Sequence, residues 1–134
     1  MGMIIVLYLL TVVVFLAIDL VWLGVVARGF YKRTLGDMLK PKVNWGAAFG
    51  FYLLYIVGIV ALAVLPAIRG AGVGEALWRG ALLGLIAYAT YDLSNLATLK
   101  GWPPTVVAVD MVWGTVLTTL VALASFFIGK GLGV

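Results

Sequence analysis

Residues Val43–Ile68 read VNWGAAFGFYLLYIVGIVALAVLPAI, an unbroken run with no acidic or basic side chain. About 20 apolar residues are enough for a helix to cross the hydrocarbon of a bilayer, so this stretch alone predicts a membrane span. Pro66 falls near its far end, where a terminal turn tolerates it. The whole chain has the same character. Of 134 residues, 65% are hydrophobic and 10% charged, and the mean hydropathy is +1.21. Soluble domains carry about a quarter charged residues, and a chain this short cannot hide so much apolar surface in its own core. A soluble monomer is excluded.

Working outward from that run, similar stretches cover about residues 3–26, 79–99 and 105–128, each interrupted by one acid: Asp19, Asp92 and Asp110. The first is longer than the apolar part of a signal peptide, holds an Asp and has no Lys or Arg before it, so it reads as a span rather than a cleaved leader. Open strands would leave edge amides unpaired in lipid. The expected fold is therefore all-α: a single transmembrane domain, 1–134, built as a polytopic four-helix bundle.

The basic residues set the expected orientation. Arg28, Lys32, Arg33, Lys40 and Lys42 lie in the first connection and Lys100 in the third, against Arg69, Arg79 and Lys130 at the other face. Positive charge collects on the cytoplasmic side. Connections one and three are thus expected in the cytoplasm, and both termini outside, in a plasma or bacterial inner membrane. The net charge of +4 is mostly this topology signal, and a short connection broken by Gly29, Gly36 and Pro41 supplies no nucleic-acid reader. Phe30, Tyr31, Leu35, Met38 and Leu39 alternate with the basic residues there, as in a short helix lying in the headgroup layer. Trp45 and Trp102 read as interface anchors on that face and Trp78 on the other.

The chain has no Cys and no His, which removes thiol chemistry, the commonest metal ligand and the near-neutral proton carrier. No cofactor or metal site is expected. Attention falls on the acids. Antiparallel threading puts Asp19, Asp92 and Asp110 in one leaflet, roughly 9 to 14 Å inside its cytoplasmic end at 1.5 Å per residue. Tyr52 and Tyr55 reach a similar depth. Asp19 shares a helix face with Trp22, three residues on, and Asp110 with Trp113; Tyr88, Asp92 and Asn95 form one stripe. The segments IDLVW and VDMVW are near copies, and Tyr52-x-x-Tyr55 is echoed by Tyr88-x-x-Tyr91, but such short matches establish no symmetry. A carboxylate at mid-depth costs about 2.5 to 3.5 kcal/mol on insertion scales. Either the three acids bind a ligand, or they act as polar glue, worth about 0.6 to 2 kcal/mol a contact. Gly80, Gly84 and Ala87, and likewise Gly46 and Gly50, have the small-residue spacing that lets helices approach closely. The glycine-rich Gly70–Gly74 run lacks the Lys and Ser/Thr of a phosphate loop and reads as a flexible turn.

The run YDLSNLATLKGWP at 91–103, with Asp110-Met111-Val112-Trp113-Gly114 after it and Asp19-Leu20-Val21-Trp22-Leu23-Gly24 before it, resembles a family of small prokaryotic integral membrane proteins carrying a domain of unknown function. The resemblance covers nearly the whole chain. Ser94 stands where the family motif carries Thr, which keeps the hydroxyl. The resemblance implies four spans and, because such proteins are often encoded near membrane-lipid modification enzymes, a lipid-related role by association only. It implies no catalytic residue.

From the residues themselves, the leading expectation is a cytoplasmic-leaflet pocket formed by Asp19, Trp22, Tyr55, Tyr88, Asp92, Asn95, Asp110 and Trp113. Its acids and aromatic walls would bind or transport an amphipathic, lipid-like or cationic small molecule. Four short helices enclose a narrow pathway, so transport would require a homodimer. Two alternatives stand beside it. One is a lipid-modifying enzyme using Asp92 and Asp110 as acid and base or as Mg²⁺ ligands. The other is a structural subunit of a larger membrane assembly.

Overall fold

The computed structural model describes residues 2–70 and 72–134. Helix α1 covers Gly2–Val26, its last five residues, Trp22–Val26, wound as a π turn. A short helix α2, Arg28–Leu35, and a 3-10 turn, Gly36–Met38, form most of the first connection, which matches the expected amphipathic segment. Helix α3 is Trp45–Arg69, α4 is Val73–Thr98 and α5 is Pro104–Leu132. No strand occurs among the described residues.

By length and composition, α1, α3 and α5 can cross a membrane. Helix α4 spans 26 residues but is less apolar, because Glu75, Arg79, Asp92 and Asn95 all fall within it. Only 22% of the most apolar stretch of α1, and 39% of those of α3 and α5, is buried inside the protein. The outward remainder is mostly aliphatic and aromatic, a surface that hydrocarbon solvates and water does not. Between these faces Phe15 of α1, Ile56 and Ile59 of α3, and Leu117 and Val121 of α5 are fully buried in one core.

Local chemistry accounts for the helix ends. Asn44 caps α3 by accepting from the Ala47 N–H at 3.1 Å, which satisfies one of the amides a helix start leaves free. Near the other end, Pro66 has no N–H to give to the Leu62 carbonyl four residues earlier, and the preceding Val60–Val64 widens into a π turn. Arg79 of α4 reaches across to that carbonyl at 3.3 Å while holding Glu75 at 2.8 Å. This Glu75–Arg79 turn carries α4 back to Val73, six residues before the expected start at 79. The expected Gly70–Gly74 turn is correspondingly shorter: Val73 and Gly74 are helical, Gly72 precedes them with φ 96°, and Ala71 lies outside the described residues.

Helices α4 and α5 form the most extensively packed pair. Their link, Lys100–Pro103, turns through Gly101 at φ 72°, a conformation cheap only for glycine. Along the seam, Gly84 sits so close to the Gly114 carbonyl and Thr118 that a Cβ would overlap them, and Gly80 abuts Ala122 and Thr118. The small-residue expectation holds for this pair and fails for Gly46 and Gly50, which have no neighbouring helix against them. Helix α3 meets its neighbours through Tyr55, Ile56, Ile59 and the π turn instead. Gly84→Val should therefore lower stability in detergent by about 1–3 kcal/mol, the usual cost of overpacking a close seam. Gly50→Ala should be neutral or slightly stabilising. Equal thermal unfolding of the two variants would contradict this packing.

Candidate functional site

Asp19 and Asp110 each stand three residues before a tryptophan, on helices that run antiparallel: Thr11 Oγ1 of α1 and Ser125 Oγ of α5 hydrogen-bond at 2.8 Å further along the same interface. The two Asp-x-x-Trp segments therefore lie side by side in opposite directions. Their indoles stack, with ring centroids 4.3 Å apart and planes 8° from parallel. Trp113 Nε1–H donates to Asp19 Oδ1 at 3.1 Å. Trp22 Nε1–H donates to the Tyr31 hydroxyl at 3.3 Å, and that hydroxyl donates to Asp110 Oδ1. Each acid is thus served by the indole of the opposite helix, once directly and once through a phenol.

Tyr31 is carried in by α2. Its helix packs Phe30, Tyr31 and Leu35 against Trp102, Val106 and Val107 at the α4–α5 connection, so the first and third connections occupy one end of the molecule. Burial, and then the bond to Asp110, raise the Tyr31 phenol above its ordinary pKa. It stays protonated at physiological pH and remains the donor.

This clasp forms one wall of a cavity of about 540 Å³. Asp19 and Asp110 both face it, with the stacked Trp22 and Trp113 between them. Tyr52 and Phe51 of α3 and Tyr88 and Tyr91 of α4 supply further aromatic walls, and Trp102 closes the end. The Tyr52 hydroxyl lies beside Asp19. No lining residue is basic. Two carboxyl groups in an aromatic chamber without a built-in counter-cation can accept an ammonium or other cation, by charge and by cation–π attraction.

Of the residues expected to share a pocket, Asp19, Trp22, Tyr88, Asp110 and Trp113 line this cavity; Tyr55, Asp92 and Asn95 do not. Tyr55 lies deeper and turns into the core, where its hydroxyl bonds Thr118 Oγ1 at 2.7 Å. Asn95 stands a turn nearer the helix end, beside Tyr91. Asp92 is fully buried and does not line the cavity; Asp110 and the Trp102 indole lie within reach of it, but no contact of its oxygens or of that N–H has good hydrogen-bond geometry. Trp102, expected as an interface anchor, is 8% exposed and packed under α2. Trp45, at 55% exposure, and Trp78, at 53%, stand on the surface as expected. Sequence reasoning missed Tyr31 as a partner of Asp110. The available signal was a lone phenol among basic residues on an amphipathic segment at the same end of the bundle as the acids. Among the described residues there is no cluster of acids able to hold a metal ion.

Residues 4–127 match a family described as "Predicted membrane protein (DUF2177)". No curated protein and no solved structure matches the chain.

The geometry separates the acids by what they lose on substitution. Tyr31→Phe deletes the donor to Asp110 and the acceptor for Trp22, and should lower stability by about 1–3 kcal/mol through the groups left unpaired. Asp92→Asn breaks no hydrogen bond of good geometry and removes an acid crowded against Asp110, so its unfolding temperature should be unchanged or higher. Thermal unfolding of both variants in the same detergent checks this, and a reversed order would contradict it.

Proposed function

The chain belongs to that DUF2177 family of membrane proteins of unknown function, and on that premise we propose that it is a four-span protein whose acidic, aromatic pocket binds or carries a cationic or amphipathic small molecule. The observation that carries this reading is the charge pattern of the cavity: Asp19 and Asp110 face it and no basic residue does. An isolated carboxylate in hydrocarbon is expensive, and an arriving cation would offset that cost. The stacked indoles and surrounding phenols suit an organic cation better than a hydrated metal ion, since aromatic faces attract ammonium groups but offer few ligating oxygens. The acid–base pair of the enzyme reading gains no support, because Asp110 lines the cavity and Asp92 does not.

In this proposal α4 is the fourth span, and the end carrying α2 and the Lys100–Pro103 link lies in the cytoplasm. Their packing against one another puts the two connections at the same end, and their excess of Lys and Arg supports the cytoplasmic orientation of that end. Both termini are then outside. A reporter active only in the cytoplasm should be silent when fused after Val134, and its activity there would overturn the orientation.

The binding proposal is tested with decylammonium and decanoate, which share a chain length and differ in the sign of the head. Decylammonium should quench tryptophan fluorescence saturably, through Trp22 and Trp113, and decanoate should not. Asp19→Asn and Asp110→Asn, each verified as folded, should weaken decylammonium binding at least about tenfold, a loss of about 1.4 kcal/mol. Equal responses to the two amphiphiles, or undiminished binding by both variants, would overturn the proposal.

A further inference from the structure

The cavity reaches the surface between α3 and α4, and the position of that opening favours some ligands over others. Phe51 of α3 is 50% exposed and Tyr91 of α4 is 57% exposed, yet both line the cavity. They stand on the two helices that part there: α4 packs on the far half of α3, through Val60–Val64 and Leu65–Arg69, rather than along Trp45–Ile59. The gap between α3 and α4 therefore widens toward the end that carries the basic connections. At 1.5 Å per residue, Phe51 lies about 9 Å inside the start of α3 and Tyr91 about 10 Å inside the end of α4, a depth of hydrocarbon rather than headgroups. The surface flanking the gap agrees, with Leu54 72% exposed on α3 and Ile86 55% exposed on α4.

We propose that the ligand enters sideways from the bilayer, between Phe51 and Tyr91, and is a long-chain amine whose cationic nitrogen faces Asp19 and Asp110 while its hydrocarbon tail stays in the gap among the lipid chains. This rests on the cation-pocket reading above and adds the tail, the route and the absence of phosphate. An opening at that depth favours an amphiphile already resident in the leaflet, which brings its head there by lateral diffusion, over a water-soluble cation. A phosphate next to the amine would enter a chamber with two carboxyl groups and no basic side chain, so the nitrogen is carried on the chain itself.

The test uses the full-length protein in phosphatidylcholine nanodiscs and a dodecylamine bearing a photoreactive diazirine midway along its chain. After illumination, peptide mass spectrometry should place the label on α3 around Phe51–Leu54 and on α4 around Ile86–Tyr91. Excess unlabelled dodecylamine should reduce that labelling at least tenfold, and phosphatidylethanolamine at the same concentration should not. Label that is competed by dodecylamine but falls on α2, on residues 36–44 or on the α1–α5 face at Ala17, Ile18 and Val21 would overturn the lateral route and leave the cation pocket standing. Competition by phosphatidylethanolamine equal to that by dodecylamine would overturn the exclusion of phosphate. Labelling that no amine competes, in wild type and in folded Asp19→Asn and Asp110→Asn alike, would overturn the pocket reading itself.

Discussion

Asp19 and Asp110 stand among apolar helices and need hydrogen-bond donors within the protein, and the donors are two stacked indoles and one phenol. The Trp113 indole reaches Asp19 directly, and the Trp22 indole reaches Asp110 through Tyr31. The rest of the functional end is arranged around that requirement. Helices α1 and α5 must lie antiparallel and in register, α2 must fold back so that Tyr31 lies over Asp110, and the α4–α5 link must bring Trp102 beneath α2. Removing charges from water is costly, and fixed, well-oriented donors offset the loss only when the geometry is good. The parallel stack of the indoles holds both N–H groups in place.

At the opposite end, close helix packing stands beside a few polar pairs. Gly80 and Gly84 let α4 lie against α5, while Pro66 frees a carbonyl that Arg79 takes up. With α4 fastened to α5 and to the far half of α3, the near half of α3 stands away from α4 and leaves the cavity between them. Close contact at one end and separation at the other are thus two consequences of where the small residues fall.

The membrane character and the approximate helix positions were legible in sequence because each depends on local composition. Val43–Ile68 could hardly be read otherwise. Which face of α3 meets the cavity was not legible. Tyr52 and Tyr55 lie three residues apart on an almost uniformly apolar helix, so no polar stripe fixes the rotation that sends Tyr52 to the cavity and Tyr55 to Thr118. Gly46 and Gly50 misled for the same reason, since a spacing that permits close approach does not supply the partner. Trp102 and Tyr31 depend on the packing of two connections far apart in sequence, which no local pattern encodes. The repeated Asp-x-x-Trp was visible, but its meaning, that each indole serves the other helix's acid, emerged only when the two helices stood side by side.

The central claim is that the indole of one helix stabilises the carboxylate of the other, and a double-mutant cycle measures that coupling. Unfolding free energies of Asp19→Leu, Trp113→Phe and the combined variant, measured in one bilayer-mimicking detergent, isolate the pair. Phe keeps one aromatic ring for the stack and loses the N–H together with the fused five-membered ring, a packing loss that the cycle cancels where it is the same with and without Asp19. The account predicts non-additivity of about 0.5–3 kcal/mol, the range found for residues in direct contact. Additivity to within about 0.3–0.5 kcal/mol would contradict it, leaving Asp19 and Trp113 as neighbours without a bond that matters.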